Sequence, residues 1–187
     1  MSPSTRPTLE TAQLILRPFT LADAPRVQAL AGERAIAAAT LHIPHPYEDG
    51  MAEAWIETHQ EKFEKHEEII FAVTLRIDSS VIGAISLVLD RADENAELGY
   101  WVGKPFWNRG CATEAATAVI HYAFTTLRLH RVYARLWKRN AASARVLQKI
   151  GMKHEGCQRE HVKKWNAFED VELYGMLRDD FAAWRSR

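Results

Sequence analysis

The residues best suited to chemistry lie in one run, Phe106-Trp107-Asn108-Arg109-Gly110-Cys111-Ala112-Thr113-Glu114-Ala115. It separates a strand-like segment, residues 96–102, from a helix-like one, residues 113–127. The first turn of a helix leaves backbone N–H groups unpaired at the positive end of the helix dipole, so this junction can seat a phosphate. Gly110 lets a ligand approach the backbone with no Cβ in the way, and Ala112 is small for the same reason. A plain turn glycine reads identically, and neither a Walker loop nor a G-x-G-x-x-G fingerprint is present. Cys111 at the helix start is a candidate for a stabilised thiolate. Glu114 suits the helix dipole and reads as structural. Glu97, between Ala96 and Leu98, is a candidate proton acceptor. His42 and His45 sit in a proline-bearing loop, too weak a pattern for a metal site.

The elements that must position these residues follow from hydrophobic period. Residues 13–19 read as a strand. Thr20 with Asp23 resembles a capping box opening a helix near residues 21–31. Residues 37–47, with Pro44 and Pro46, read as an irregular loop, and a helix spans about residues 49–65. Strands follow at 69–75, 81–89 and 96–102. In the last, Leu98, Tyr100 and Val102 share one face and Glu97 and Trp101 the other. Gly99 suggests a bulge or a close backbone approach. After the helix at 113–127 come a strand at 131–137 and a helix from Asn140 that ends at Gly151. Two further strands (152–163 and 169–178) and a short amphipathic helix (179–186) complete the chain. The pattern predicts a single α/β domain over residues 1–187, with a loose tail at 1–10. A central, mostly antiparallel sheet of about seven strands is flanked by helices, and the strand–helix–strand order at 96–137 gives one parallel pair.

Composition limits the function classes. Lys+Arg and Asp+Glu both number 24, which argues against direct nucleic-acid binding or an anionic membrane partner, though not against a local basic patch. Two cysteines without paired spacing, no apolar signal core at residues 1–8 and no membrane-length apolar run lead to the expectation of a cytoplasmic protein. No metal is expected.

The runs G-Y-W-V…F-W-N-R-G-C-A-T-E-A, at 99–115, and N-A-A-S…K-I-G-M, at 140–152, resemble motifs A and B of the GNAT superfamily of acyl-CoA N-acyltransferases. Together with L-I-L-R-P-F (14–19) and D-V-E-L-Y-G-M-L-R (170–178), they are similar to its RimJ/RimL branch, over nearly the whole chain. Trp107 departs from the Gln or Arg usual at the start of motif A. The resemblance implies the GNAT fold and acetyl-CoA as cofactor. It implies that the N–H groups of Arg109, Gly110, Cys111, Ala112 and Thr113 cradle the pyrophosphate, the Arg109 side chain adding charge. Tyr100, Trp101 and Val102 would hydrogen-bond the pantetheine arm. Asn140 would contact coenzyme A, act as an N-cap, or both. The superfamily often has a tyrosine acid where this chain has Leu147, which leaves Ser143 as the candidate donor to the departing thiolate; a plain helix serine is the alternative. Glu97 matches the strand on which the superfamily often places its base. The basic residues Arg128, His130, Arg131, Arg135, Lys138 and Arg139 read either as steering a 3′-phosphate or as a solvated face.

By the same resemblance the reaction is direct acetyl transfer to a primary amine. The leading acceptor is a protein N-terminal α-amine of ribosomal-protein type. A small-molecule amine (amino acid, polyamine or aminoglycoside) is the alternative acceptor, and a non-catalytic acyl-CoA sensor the alternative function. A homodimer is compatible with all three.

Overall fold

Alternation along the strands becomes two buried faces of one sheet. The computed structural model describes residues 5–186, so residues 1–4 of the tail expected at 1–10 lie outside the described residues. The strands are β1 (Leu9–Glu10), β2 (Leu14–Arg17), β3 (Glu68–Leu75), β4 (Val81–Asp90), β5 (Asn95–Val102), β6 (Arg131–Trp137), β7 (Lys153–Lys164) and β8 (Ala167–Leu177). They form an eight-stranded sheet in the order β1-β2-β3-β4-β5-β6-β8-β7. Only β5 and β6 are parallel; the other neighbours are antiparallel. This is the expected mixed architecture, with β1 as a strand beyond the expectation: Leu9 and Glu10 pair with Leu16 and Ile15.

On one face, α4 (Cys111–Thr125) covers the sheet, with α5 (Ala141–Lys149) and α6 (Arg178–Arg185) beside it. Leu14, Leu16, Phe71, Val119, Ile120 and Leu147 belong to the core on this side. On the other face, α1 (Ala24–Ala31) and α3 (Met51–Glu64) pack a smaller core with Phe19, Val27, Ile56, Ile70 and Ala84, and α2 (Arg34–Ala39) follows α1. Strand β3 is buried on both faces, with Ile69, Phe71 and Val73 in one core and Ile70 and Ala72 in the other. Period-2 geometry sends successive side chains to opposite faces, and a run with no polar alternation fits a strand covered on both.

Two local expectations are revised. Helix α2 starts before the segment read as a loop from Ala37 and takes in Ala37 to Ala39, because Ala-rich sequence carries helix propensity up to the Thr40 stop. Gly99 pairs with Ser86 in unbroken register, so it marks no bulge. The close approach is at Gly83, where a Cβ would lie 2.2 Å from the Trp101 carbonyl oxygen. No helix among the described residues is long and apolar enough to cross a membrane.

Helix α3 buries His59 edge-on against Trp55 and Phe19, with ring centroids 4.5 and 5.5 Å apart. Neither ring nitrogen has a hydrogen-bond partner among the described residues. Burial, then the charges of Arg6 and Lys62, lower its pKa from the usual 6.5 to about 3. Between those values the unfolded chain binds a proton that the folded chain refuses. Stability is therefore complete above about pH 6.5 and falls by about 1.4 kcal/mol per unit as the pH drops toward 3. Urea unfolding at pH 7 and pH 5 should show a loss of about 2 kcal/mol from this group, absent in His59→Phe. An equal loss in the variant would assign the acid sensitivity to other residues.

Candidate functional site

Strands β5 and β6 part company soon after they meet. Their parallel pairing covers only Asn95, Ala96 and Glu97 against Arg131, Val132 and Tyr133. Beyond it, β5 stays paired with β4 as far as Val102, and β6 with β8 as far as Trp137. A wedge-shaped gap therefore opens in the middle of the sheet. The Gly103 N–H donates to Ile82 O of β4 at 2.8 Å. By alternation, the backbone groups of Tyr100 and Val102 point the other way, into the gap. The Val102 carbonyl is occupied there by the Trp107 indole N–H at 2.5 Å. Tyr100 N–H and C=O and Val102 N–H are left as a strand edge facing the gap.

A cavity of about 980 Å³ runs through this gap. Gly110, Cys111, Ala112 and Thr113 line one end, Ser143 and Leu147 of α5 one wall, and Tyr47, Met51 and Trp55 the opposite side of the sheet. Gly110 has φ +81° and is the N-cap of α4; a Cβ there would meet nothing within 4 Å. The first helical backbone bond runs from Glu114 N–H to Gly110 O, so the N–H groups of the turn before it have no helical acceptor. Asn108, at φ 61°, also takes the left-handed conformation in this turn. A ring of backbone donors facing open space fits a pyrophosphate, and the gap beyond it fits an extended amide-bearing arm.

Each side chain singled out in the sequence has a definite place. Arg109 stacks over Phe106, its guanidinium carbon 5.6 Å from the ring centroid, and is not among the residues lining the cavity. Trp107 fastens the turn to the end of β5 and fills the place of the motif's usual polar residue. Glu114 accepts from the Thr11 hydroxyl at 2.6 Å, Gln13 N–H at 2.7 Å and Gln13 Nε2 at 3.0 Å. It ties the helix start to the β1–β2 turn, in keeping with its structural reading. Burial pushes the Cys111 thiol pKa up, against the backbone hydrogen bond and the Arg109 charge that favour the thiolate. Asn140 is the N-cap of α5, accepting from Ser143 N–H at 3.0 Å, while its Nδ2 donates to Ala39 O at 3.1 Å.

Ser143 Oγ lies 2.7 Å from the Tyr100 hydroxyl. Burial holds that phenol protonated, its pKa pushed up to about 12. Either hydroxyl can donate in this pair; in the arrangement with Tyr100 as donor, the serine proton is free to point into the cavity. Glu97 accepts at both oxygens from Arg135, at 3.0 and 2.9 Å, across the apex of the gap. Its apolar sequence neighbours gave no sign of this partner. The Tyr133 side chain also hydrogen-bonds this carboxylate, so Glu97 is held by two residues of β6. Within the basic run, Arg131, Arg135, Lys138 and Arg139 pair with Glu155, Glu97, Asp170 and Glu169. The cations that line the cavity are Arg135 of that run, already paired with Glu97, and Arg145 and Lys149. The i, i+4 spacing of the last two on α5 was the available signal and was missed. His42 lines the cavity and His45 does not. No group of three or more His, Cys, Asp or Glu among the described residues is placed to hold a metal.

A family model described as an acetyltransferase (GNAT) domain matches residues 13–153. A probable N-acetyltransferase of Bacillus subtilis (strain 168), YjcK, is 38% identical over 127 residues, covering 67% of this chain and 70% of that protein. The ribosomal-protein-serine acetyltransferase of Escherichia coli (strain K12) is 28% identical over 103 residues, covering 54% and 58%. Among solved structures, RimL, a ribosomal L7/L12 α-N-protein acetyltransferase in complex with coenzyme A, superposes with a TM-score of 0.84 at 16% identity, covering 93% of this chain and 99% of its own. At that identity the likeness is one of fold. The chain belongs to the GNAT acetyltransferase family and is an acetyl-CoA-dependent acyltransferase.

Replacing Gly110 with Val places a β-branched side chain at φ +81° and in the space before the turn's N–H groups. Calorimetric titration with coenzyme A should show at least about tenfold weaker binding, the scale of one lost charge-assisted contact. Unchanged affinity in a variant with native thermal unfolding would remove the turn from the binding site.

Proposed function

We propose that this enzyme transfers acetyl from acetyl-CoA directly to a primary amine, first among them the α-amine of a protein N-terminus. The observation that carries the reading is the unpaired edge of β5, with a ring of phosphate-suited N–H groups at one end and a hydroxyl pair at the other, inside one cavity. The RimJ/RimL-like relatives named for ribosomal-protein acetylation favour the α-amine. An amino acid or other small amine is the competing acceptor.

Acetyl-CoA supplies an acyl carbon already activated as a thioester. The turn from Arg109 to Thr113 holds the phosphates through backbone N–H groups, and Arg109 adds charge. Tyr100 and Val102 align the arm in the gap, as a strand would be aligned by its neighbour. A backbone N–H at this edge also polarises the thioester carbonyl. The acceptor enters from the α1–α3 side. Its nitrogen lone pair forms the C–N bond; the C–S bond breaks with its electron pair on sulfur. One proton leaves nitrogen and one reaches sulfur.

Ser143, supported by Tyr100, delivers the proton to sulfur. Glu97 receives the proton from the amine, directly or through a water, while Arg135 fixes the carboxylate. An α-amine with a pKa of about 7.7–8.0 makes a modest demand on this base; a lysine-like amine near 10.4 makes a large one.

Three substitutions test the assignments. Ser143→Ala should lower kcat by about 10²-fold or more with little change in KM for acetyl-CoA. Tyr100→Phe should lower kcat in the same direction by a smaller factor. A rate held across the pH range in Ser143→Ala would pass the proton delivery to water. Glu97→Gln keeps shape and removes charge, and should cost about 10²–10⁴-fold in kcat/KM together with the acidic limb of the pH profile. Retention of both would exclude the base role; a loss confined to KM would assign Glu97 to holding the ammonium.

A further inference from the structure

The half of the cavity on the α1–α3 side has a character that the transfer reaction does not require. Ile43, Tyr47, Met51, Trp55, Ile70 and Trp101 line it. Ile43, Tyr47, Trp55 and Trp101 are partly buried and pack against the smaller core, so the wall is continuous with a folded apolar surface. The two carboxylates that line the cavity are both engaged. Glu97 is paired with Arg135 at 2.9 Å, and Glu68 with Lys62 at 2.8 Å. A polyamine or aminoglycoside carries further ammonium groups beyond the reacting one. Each would be desolvated here without a free anion to meet it, at a cost of several kcal/mol per charge. A peptide beginning with a small polar residue would leave the aromatic walls unfilled.

We infer that the acceptor is a monoamine whose nitrogen is borne on a bulky apolar or aromatic body, seated between Tyr47, Trp55 and Trp101. This rests on the transferase reading above and narrows its acceptor. The same chemistry can come from a peptide whose first residue is Phe or Met, or from a small arylalkylamine. The rings supply flat area at low entropy cost, and the reacting amine points along the cavity toward the edge of β5.

The experiment is a thiol-release assay with acetyl-CoA and five acceptors: a Phe-initiated peptide, 2-phenylethylamine, a Ser-initiated peptide, spermidine and kanamycin. The first two should exceed the last three in kcat/KM by at least about tenfold, the scale of hydrophobic-pocket discrimination. The ratio of the first to the second separates a peptide source from a small-molecule source. Ile43→Glu, in a loop outside the core strands, should raise KM for 2-phenylethylamine about tenfold or more and leave KM for acetyl-CoA unchanged. Without acetyl-CoA, 2-phenylethylamine should quench tryptophan fluorescence, and Trp55→Phe should reduce that change. Preference for spermidine, kanamycin or the Ser-initiated peptide would overturn the inference and leave the transferase standing. No turnover of any amine by protein that binds coenzyme A would overturn both.

Discussion

The structure depends on a parallel strand pair that stops early. Strands β5 and β6 share three residue pairs and then diverge, each kept straight by its outer antiparallel neighbour. Sheet twist favours divergence in a long mixed sheet, but backbone groups left unpaired and shielded from water cost about 1–3 kcal/mol each. The fold tolerates this only where something else supplies the missing partners. In the function proposed above, that partner is the amide-bearing arm of the acyl donor, taking the place of a strand. The gap is thus the candidate binding site, and the candidate functional groups are placed relative to its apex.

Both walls of the gap are fixed by hydrogen bonds among residues that line the cavity and their neighbours. The Trp107 indole holds the phosphate turn to the end of β5. Trp137, fully buried at the end of β6, donates to Thr40 O at 3.1 Å, and Asn140 reaches Ala39 O, so α2 and the start of α5 move as one piece. Lys164, on the β7–β8 hairpin, donates to Ile43 O at 2.9 Å and holds the loop that lines the acceptor side. At the apex, the Glu97–Arg135 ion pair spans the two strands where they separate. A bidentate pair with both partners partly shielded fixes geometry more firmly than a surface pair would. The acceptor's charge environment is set there, in the one place where β5 and β6 still face each other.

Much of this was legible in the chain. The period-2 runs, the Gly110 turn, the helix after it and the Asn140 cap are local features, written in residues a few positions apart. Three things were not legible because they join distant segments. The gap depends on how far two strands pair, which hydrophobic period does not encode. The partners of Glu97 and Ser143 are Arg135 and Tyr100, which lie 38 and 43 positions away. Tyr100 was read for its backbone, and its hydroxyl was overlooked. The Cys111 thiol shows a local rule overridden at a distance: a helix start favours a thiolate, and burial in the core opposes it. Strand β1 and helix α2 were too short for a periodic signal.

Amide hydrogen exchange with and without coenzyme A tests the gap most directly. The account predicts new protection at Tyr100 and Val102 on the β5 edge and at the N–H groups of the Gly110 to Thr113 turn. Trp101 and Gly99, already bonded to β4, should change little. Protection that appears elsewhere on the sheet, or that falls evenly on all residues of β5, would contradict the claim that the diverging strand edge is the cofactor's seat.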